Sequence, residues 1–334
     1  MEGLADDRLN HHHHHQHPLN LRIHHLSQTS DDDLSLVKAG LSAVQPWLHP
    51  KFFYDSAGST LFDAITRTPE YYPTRVEADI FRQHLPRMLA RVANRQVLVE
   101  PGSGSCEKAL PLLEDPELKH YAPIEISRDY LVACCADLAE SHPDLTVDAI
   151  CGDFVNCRDL PDEVPESGRL VFFPGSTIGN FDPEHACDLL ANFRDLAAPG
   201  GHLLIGTDLP KDPAILEAAY NDSAGLTARF NLNMLTHLSE RLDCDLDPEA
   251  FRHRAFYNAD AGRIEMHLVC QRPTEARAGN VRRRFEPGDS IHTESSYKYQ
   301  PDNFLALARK AGLEAIDHWT DSQEWFAVHL LRAS

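Results

Sequence analysis

Between about residue 96 and residue 210 the chain alternates short apolar runs with longer amphipathic stretches. The first run, Gln96 to Glu100, closes on a glycine-rich turn, and others follow at Tyr121–Ile126, Leu145–Ile150, Leu170–Phe173 and His202–Gly206. Between them, Asp129–Ser141 and Glu184–Leu196 carry apolar residues at helical spacing, and a further helix is predicted from about Glu107. Strands alternating with helices predict βαβ units and a parallel sheet. Pro199, Gly200 and Gly201 mark the turn into the last of these strands.

The flanks differ in texture. Asp31, Asp32 and Asp33 precede Leu34, Leu36 and Val37, which predicts a helix with acidic groups at its positive end. A longer helix is predicted from Arg75 to Ala93, with Ala78, Ile80, Phe81, Leu85, Met88, Leu89 and Val92 as its apolar positions. After Asp208 the alternation stops. Residues 211–243 read as mostly helical, followed by strand-like stretches at Arg263–Gln271 and Asn280–Phe285. The end returns to a helix at Asp302–Ala311 and strands near Glu314–Trp319 and Trp325–Leu331. The predicted fold class is therefore α/β, with a Rossmann-like sheet over 76–210 and 301–334. A second, α+β domain is expected from 29–75 and 211–300. Residues 1–28 read as a tail. Its run His11–His15, with His17, His24 and His25, has metal-binding composition, but a low-complexity segment accounts for it better.

The formal net charge of −20 argues against nucleic acid or an anionic membrane surface as partner, since both call for a basic face. A small-molecule substrate is expected instead. None of the eight cysteines stands in C-x-x-C spacing, so no metal site is expected. No apolar run is long enough to span a membrane and no signal peptide is apparent, which points to the cytoplasm.

Three elements fall in order at successive strand ends. The loop Glu100-Pro101-Gly102-Ser103-Gly104-Ser105 lets backbone approach a ligand closely, but Glu107 stands where a pyrophosphate-binding fingerprint needs its third glycine. Glu125 ends the second strand, where a carboxylate can accept both ribose hydroxyl protons. Asp153 and Phe154 follow the third, suited to bond an adenine amino group and cover the ring. Together they favour an adenosyl ligand in the crevice above the sheet.

Further segments are more distinctive: Phe53-Tyr54-Asp55-Ser56-Ala57-Gly58-Ser59, Pro69-Glu70-Tyr71-Tyr72-Pro73-Thr74-Arg75 and Phe173-Pro174-Gly175-Ser176-Thr177-Ile178-Gly179-Asn180-Phe181. With Gly206-Thr207-Asp208-Leu209 and Arg263-Ile264-Glu265-Met266, they make the chain, from about residue 50 to its end, resemble the histidine Nα-methyltransferases of ergothioneine biosynthesis. The resemblance implies a class I methyltransferase sheet, S-adenosylmethionine as cofactor, and L-histidine with its mono- and dimethyl forms as substrates. It implies a cofactor site of Gly102, Lys108, Glu125, Asp153 and Phe154. Asn180 and Tyr220 are expected to hold the amino acid head, Gly175 to lie beside the amine, and Tyr54 and Tyr71 to line the pocket. Asn180, Tyr71 and Gly175 stand closest to the reaction. Thr293-Glu294-Ser295-Ser296 resembles the imidazole-binding stretch, so Glu294 and Ser296 are expected on the ring, with Met266 packed near it. Glu125 replaces a more usual Asp, Pro101 and Cys106 vary the loop, and no residue stands out as a general base. A monomer is expected. The rival readings are methylation of another amino acid such as tryptophan, and a non-catalytic adenosyl-binding subunit.

Overall fold

The computed structural model of the chain describes residues 17–26 and 32–334. The strands run β1 (Leu21–His25), β2 (Val97–Pro101), β3 (His120–Glu125), β4 (Thr146–Cys151), β5 (Arg169–Phe173), β6 (His202–Asp208), β7 (Cys244–Asp245) and β8 (Phe251–Asn258). They continue with β9 (Arg263–Cys270), β10 (Thr274–Ala278), β11 (Val281–Phe285), β12 (Ser290–Tyr297), β13 (Leu313–Thr320) and β14 (Phe326–Ala333). The helices are α1 (Asp33–Ser42), α2 (Ser56–Ile65), α3 (Tyr72–Ala90), α4 (Leu110–Leu113), α5 (Arg128–Ser141), α6 (Pro183–Ala197), α7 (Pro213–Ala219), α8 (Leu226–Arg241) and α9 (Pro301–Lys310).

Eight strands form the central sheet in the order β1-β4-β3-β2-β5-β6-β14-β13. The pairs from β1 to β6 are parallel; β14 runs antiparallel to both β6 and β13. The inner strands are buried on both faces, which is why they read as nearly unbroken apolar runs, while the edge strands β1 and β13 are partly exposed. Val97 and Val99 pack with Phe193 of α6 and Phe304 of α9, while Leu98 packs on the opposite side with Ile80 of α3 and Leu131 of α5. This doubly wound, Rossmann-like sheet opens its crevice at the strand carboxyl ends, between β2 and β5, where the order reverses.

The segment after β6 folds into α7, α8 and two three-stranded antiparallel sheets, β11-β10-β7 and β12-β9-β8. The N-terminal helices join it: α1 packs on the β10–β11 hairpin and α2 along α8. No helix among the described residues is long and apolar enough to cross a membrane.

Four expectations need correction. Residues 21–25 are not tail but the edge strand β1, with Leu21 and Ile23 in register against Val147 and Ala149. Arg22 and His24 both bond the fully buried Asp148, at 2.7 and 2.8 Å, so His24 serves a carboxylate. The run His11–His15 lies outside the described residues. Helix α3 starts at Tyr72, three residues before the predicted Arg75, with Pro73 preset for a first turn. The helix after the glycine-rich loop is a 3-10 turn and the four-residue α4. Strands β7, β8, β10 and β12 were not foreseen; the exposed, polar faces of their antiparallel sheets weaken the apolar signal.

Candidate active site

The cofactor side is built at the ends of β2, β3 and β4. Gly102 and Gly104 hold φ of +66° and +53°, which side chains resist, and the Gly102 amide bonds the Ile124 carbonyl at 2.8 Å. A Cβ at Gly102 would stand 3.0 Å from the Phe154 ring, so bare backbone and aromatic face meet here. Phe154 is fixed from behind by Phe173, ring to ring at 5.5 Å. Asp153 spends one oxygen on the Val155 amide at 3.0 Å. Glu125 accepts from the Ile126 amide at 2.8 Å, and burial pushes its carboxyl above the ordinary value. Among the described residues no cation pairs with Glu125. A half-buried carboxylate that still needs donors, a glycine cradle and an aromatic cover fit an adenosyl group: a ribose diol supplies the donors and adenine the flat face.

At the end of β5, Gly175 takes φ +82°. Its N–H donates to both oxygens of Glu77 at 3.0 and 2.9 Å. Lys108 reaches Glu77 at 3.6 Å, and its Nζ is what a Cβ on Gly175 would meet at 3.0 Å. Lys108 therefore faces the crevice beside Gly175. The Gly175 carbonyl is the backbone group left to serve a ligand. Asn180 closes the 3-10 turn Thr177–Asn180, which abuts β12 through Gly179 and Tyr297, and its amide bonds no described side chain.

The residues expected around the substrate come from the start of α3, the added helices and the added sheets. Tyr54 follows a 3-10 turn at Pro50–Phe53, and Tyr71 stands at the start of α3. Tyr54 stands within electrostatic reach of Glu294, Tyr71 and Tyr220, and 44% of its surface is accessible. Its ring packs edge-on to Phe62 and Phe230, and Tyr71 meets Tyr220 edge-on at 6.1 Å. Burial drives the phenols of Tyr54 and Tyr71 well above their ordinary range, so both stay protonated.

Glu294 of β12 pairs across the ladder with the buried Met266 of β9. Burial pushes the Glu294 carboxyl up to about 7, against the pull of Lys298. No donor among the described side chains reaches its carboxylate. Ser296 is more deeply placed than a ring contact implies. Its hydroxyl and that of Tyr220 lie 2.9 Å apart, and Lys298 donates to each at 2.9 Å. One bond between two hydroxyls consumes one proton, so the other remains free to donate to a ligand. Lys298 gives its third proton to Asp208 at 2.8 Å. Asp208, fully buried, also receives Lys211 at 2.8 Å and the Tyr72 hydroxyl. Sequence reasoning missed Glu77, Lys211 and Lys298. Two of them left a trace: Glu77 falls on the buried stripe of α3 between Val76 and Ile80, and Lys298 sits between Tyr297 and Tyr299.

A family model described as histidine-specific methyltransferase, S-adenosylmethionine-dependent, matches residues 31–333. The chain is 41% identical over 301 residues to a histidine N-alpha-methyltransferase of Mycolicibacterium smegmatis, covering 88% of this chain and 92% of that protein. A protein of the same description from Mycobacterium tuberculosis is 38% identical over the same shares of the two chains. Ergothioneine biosynthesis protein 1 of Neurospora crassa is 30% identical, over 84% of this chain and 32% of its own length.

Proposed function

The chain belongs to the family of histidine-specific, S-adenosylmethionine-dependent methyltransferases, and from that premise we propose that it methylates the α-amino nitrogen of L-histidine through to the trimethylated betaine, hercynine, in ergothioneine biosynthesis. The observation that carries the substrate choice is Glu294: a buried carboxylate with no donor among the described side chains, which an imidazole N–H would satisfy. An apolar side chain leaves it unpaired, a penalty larger than a lost methylene contact.

When bound, S-adenosylmethionine supplies an electrophilic methyl group on a sulfonium. Glu125 takes the ribose hydroxyls, Asp153 and Phe154 the adenine, and Gly102 and Lys108 complete the cradle. Asn180 and the spare proton of the Tyr220–Ser296 pair hold the substrate carboxylate. The Gly175 carbonyl accepts from the amine and aims its lone pair along the crevice. The nucleophile is the neutral amine, and the proton released as the N–C bond forms and the S–C bond breaks passes to water. As methyls accumulate the head becomes a fixed cation, to which Tyr54 and Tyr71 offer neutral aromatic faces. The substrate is a free small molecule, and the chain works as a cytoplasmic monomer.

Incubation with methyl-labelled cofactor and a panel of amino acids tests the reading. Three successive methyl additions on histidine are expected. Turnover of tryptophan but not histidine refutes the substrate, and turnover of nothing favours a non-catalytic adenosyl-binding role.

A further inference from the structure

The ladder between β9 and β12 changes phase in the middle. On β9, Arg263, Glu265 and His267 share one face, away from the pocket, and Met266 the other. Their partners on β12 are Tyr297, Ser295 and His292. The first two are two residues apart and the last two are three apart. The extra residue is Thr293, a β-bulge between His292 and Glu294. Without it, strict alternation puts His292 and Glu294 on the same face. The bulge is therefore what lets Glu294 and Ser296 face the pocket while His292 and Ser290 face away.

Something must hold this irregularity, and His292 is placed to do so. Its Nε2 lies 3.0 Å from the carbonyl oxygen of Glu294 and 3.0 Å from Ser295 Oγ, spanning the bulge. A carbonyl only accepts, so the bonded tautomer carries its proton on Nε2. The ring stacks on His267 at 4.6 Å and 2°. His267 is itself fixed by Glu265 at 2.8 Å and Ser290 at 2.9 Å, and Glu265 by Arg263 and Asn258. Through its backbone, His292 also donates to Pro46 and accepts from Leu48, just ahead of the turn that leads to Tyr54. Glu265, His267 and His292 have the composition of a metal site. Yet Nε2–H of His292 is spent on a carbonyl and Arg263 already stands on Glu265, so the geometry is that of a brace.

We propose that His292 is a positioning residue for substrate selection: its imidazole clamps the bulge that turns Glu294 into the pocket. This rests on the reading of Glu294 as the ring-binding group. The neutral imidazole suits the stack, since burial holds His292 down at about 4.

The test compares His292→Ala, His292→Gln, Glu294→Ala and the His292→Ala/Glu294→Ala double variant. It measures KM for histidine, kcat, and cofactor affinity by calorimetry. His292→Ala is expected to raise KM for histidine about tenfold, the loss of roughly one well-placed hydrogen bond, with kcat and cofactor affinity changed less than about twofold. His292→Gln, whose amide can reach the same carbonyl, restores most of it. In the Glu294→Ala background, removing His292 adds nothing further. If His292→Ala does not fold, His292→Asn, too short to reach the carbonyl, set against His292→Gln carries the same comparison. An unchanged KM in the short variant, or an equal penalty with and without Glu294, overturns the proposal. An unchanged KM in Glu294→Ala overturns the underlying reading of the ring site instead.

Discussion

Gly175 gives its backbone N–H to both oxygens of Glu77, and Glu77 lies so close over β6 that a Cβ at Gly206 would stand 2.0 Å from its Oε2. One buried carboxylate thus joins α3 and the ends of β5 and β6, with Lys108 beside it. Glu77→Ala leaves the Gly175 amide without its partner, which costs about 1–3 kcal/mol. A drop in kcat larger than the change in KM for histidine is expected, because the role proposed for Gly175 is beside the amine rather than the ring. Gly206→Ala displaces the same carboxylate from below and should reproduce the kcat loss. Steady-state kinetics with thermal melts decide it, and a pure stability loss with kcat intact counts against the role.

Lys298 bonds Asp208, Tyr220 and Ser296 with its three protons, all inside the protein. Lys298→Met removes one partner from a buried carboxylate that keeps Lys211, so the lower end of the usual penalty applies, about 3 kcal/mol. It also frees Tyr220 and Ser296 to turn, so KM for histidine should rise. Denaturant titration measures the first and kinetics the second. Lys298→Arg should not rescue, because a planar guanidinium cannot direct protons to three corners.

The alternation of apolar runs made the central sheet legible, because strands buried on both faces are mostly apolar and carry only a few polar residues, such as Asp148 and Asp208. The antiparallel sheets were half legible: Arg263–Gln271 was foreseen, but β12, with Ser290, His292, Glu294 and Ser295, reads as a polar loop. Motif resemblance supplied Glu294 where periodicity did not. The Lys298–Asp208 and Glu77–Gly175 contacts join residues 90 and 98 positions apart, and spacing along a chain does not encode such meetings. Edge strand β1 was hidden by its histidines, whose partner Asp148 lies more than a hundred residues away.

Strand β1 carries its own prediction. Burial works to raise the Asp148 carboxyl, but bonds from His120, Arg22 and His24 outweigh it and hold the group below its ordinary range. A depressed carboxylate stabilises the fold above its unfolded pKa, and that contribution is lost as pH falls through the folded value. Arg22→Ala/His24→Ala should therefore lower the melting temperature at pH 7, and the gap from the parent should narrow toward pH 3. A gap that stays constant with pH contradicts the account.

Glu125 offers a cleaner reading of the cofactor side. Glu125→Gln keeps the shape but exchanges one acceptor oxygen for a donor, and a diol needs acceptors. Cofactor affinity should fall about tenfold or more, from hydrogen bonds to a charged group worth about 1.5–3 kcal/mol. Glu125→Asp should retain more affinity than Glu125→Gln despite its shorter reach. Calorimetry without histidine isolates the effect; equal affinity in parent and Glu125→Gln rejects a ribose contact.

The pH response of Glu294 separates binding from stability, because the two run in opposite directions. Its carboxyl is raised to about 7, chiefly by burial. For a carboxyl raised on folding, stability is full below the unfolded value and is lost as pH climbs through the folded one. Glu294→Gln should thus melt higher than the parent at pH 8, by on the order of 2 kcal/mol, and match it near pH 4.5. Binding shows the reverse. Only the ionised carboxylate accepts fully from an imidazole N–H, so the parent should lose histidine affinity as pH drops from 8 to 6 beyond the change set by protonation of the substrate's own amine and imidazole. Glu294→Gln should bind histidine weakly at pH 8 and show only the substrate's share of that slope. Melting without substrate and equilibrium binding of histidine, both at several pH values, settle the matter. If the two proteins have parallel binding profiles, Glu294 does not carry the ring contact, whatever its effect on melting.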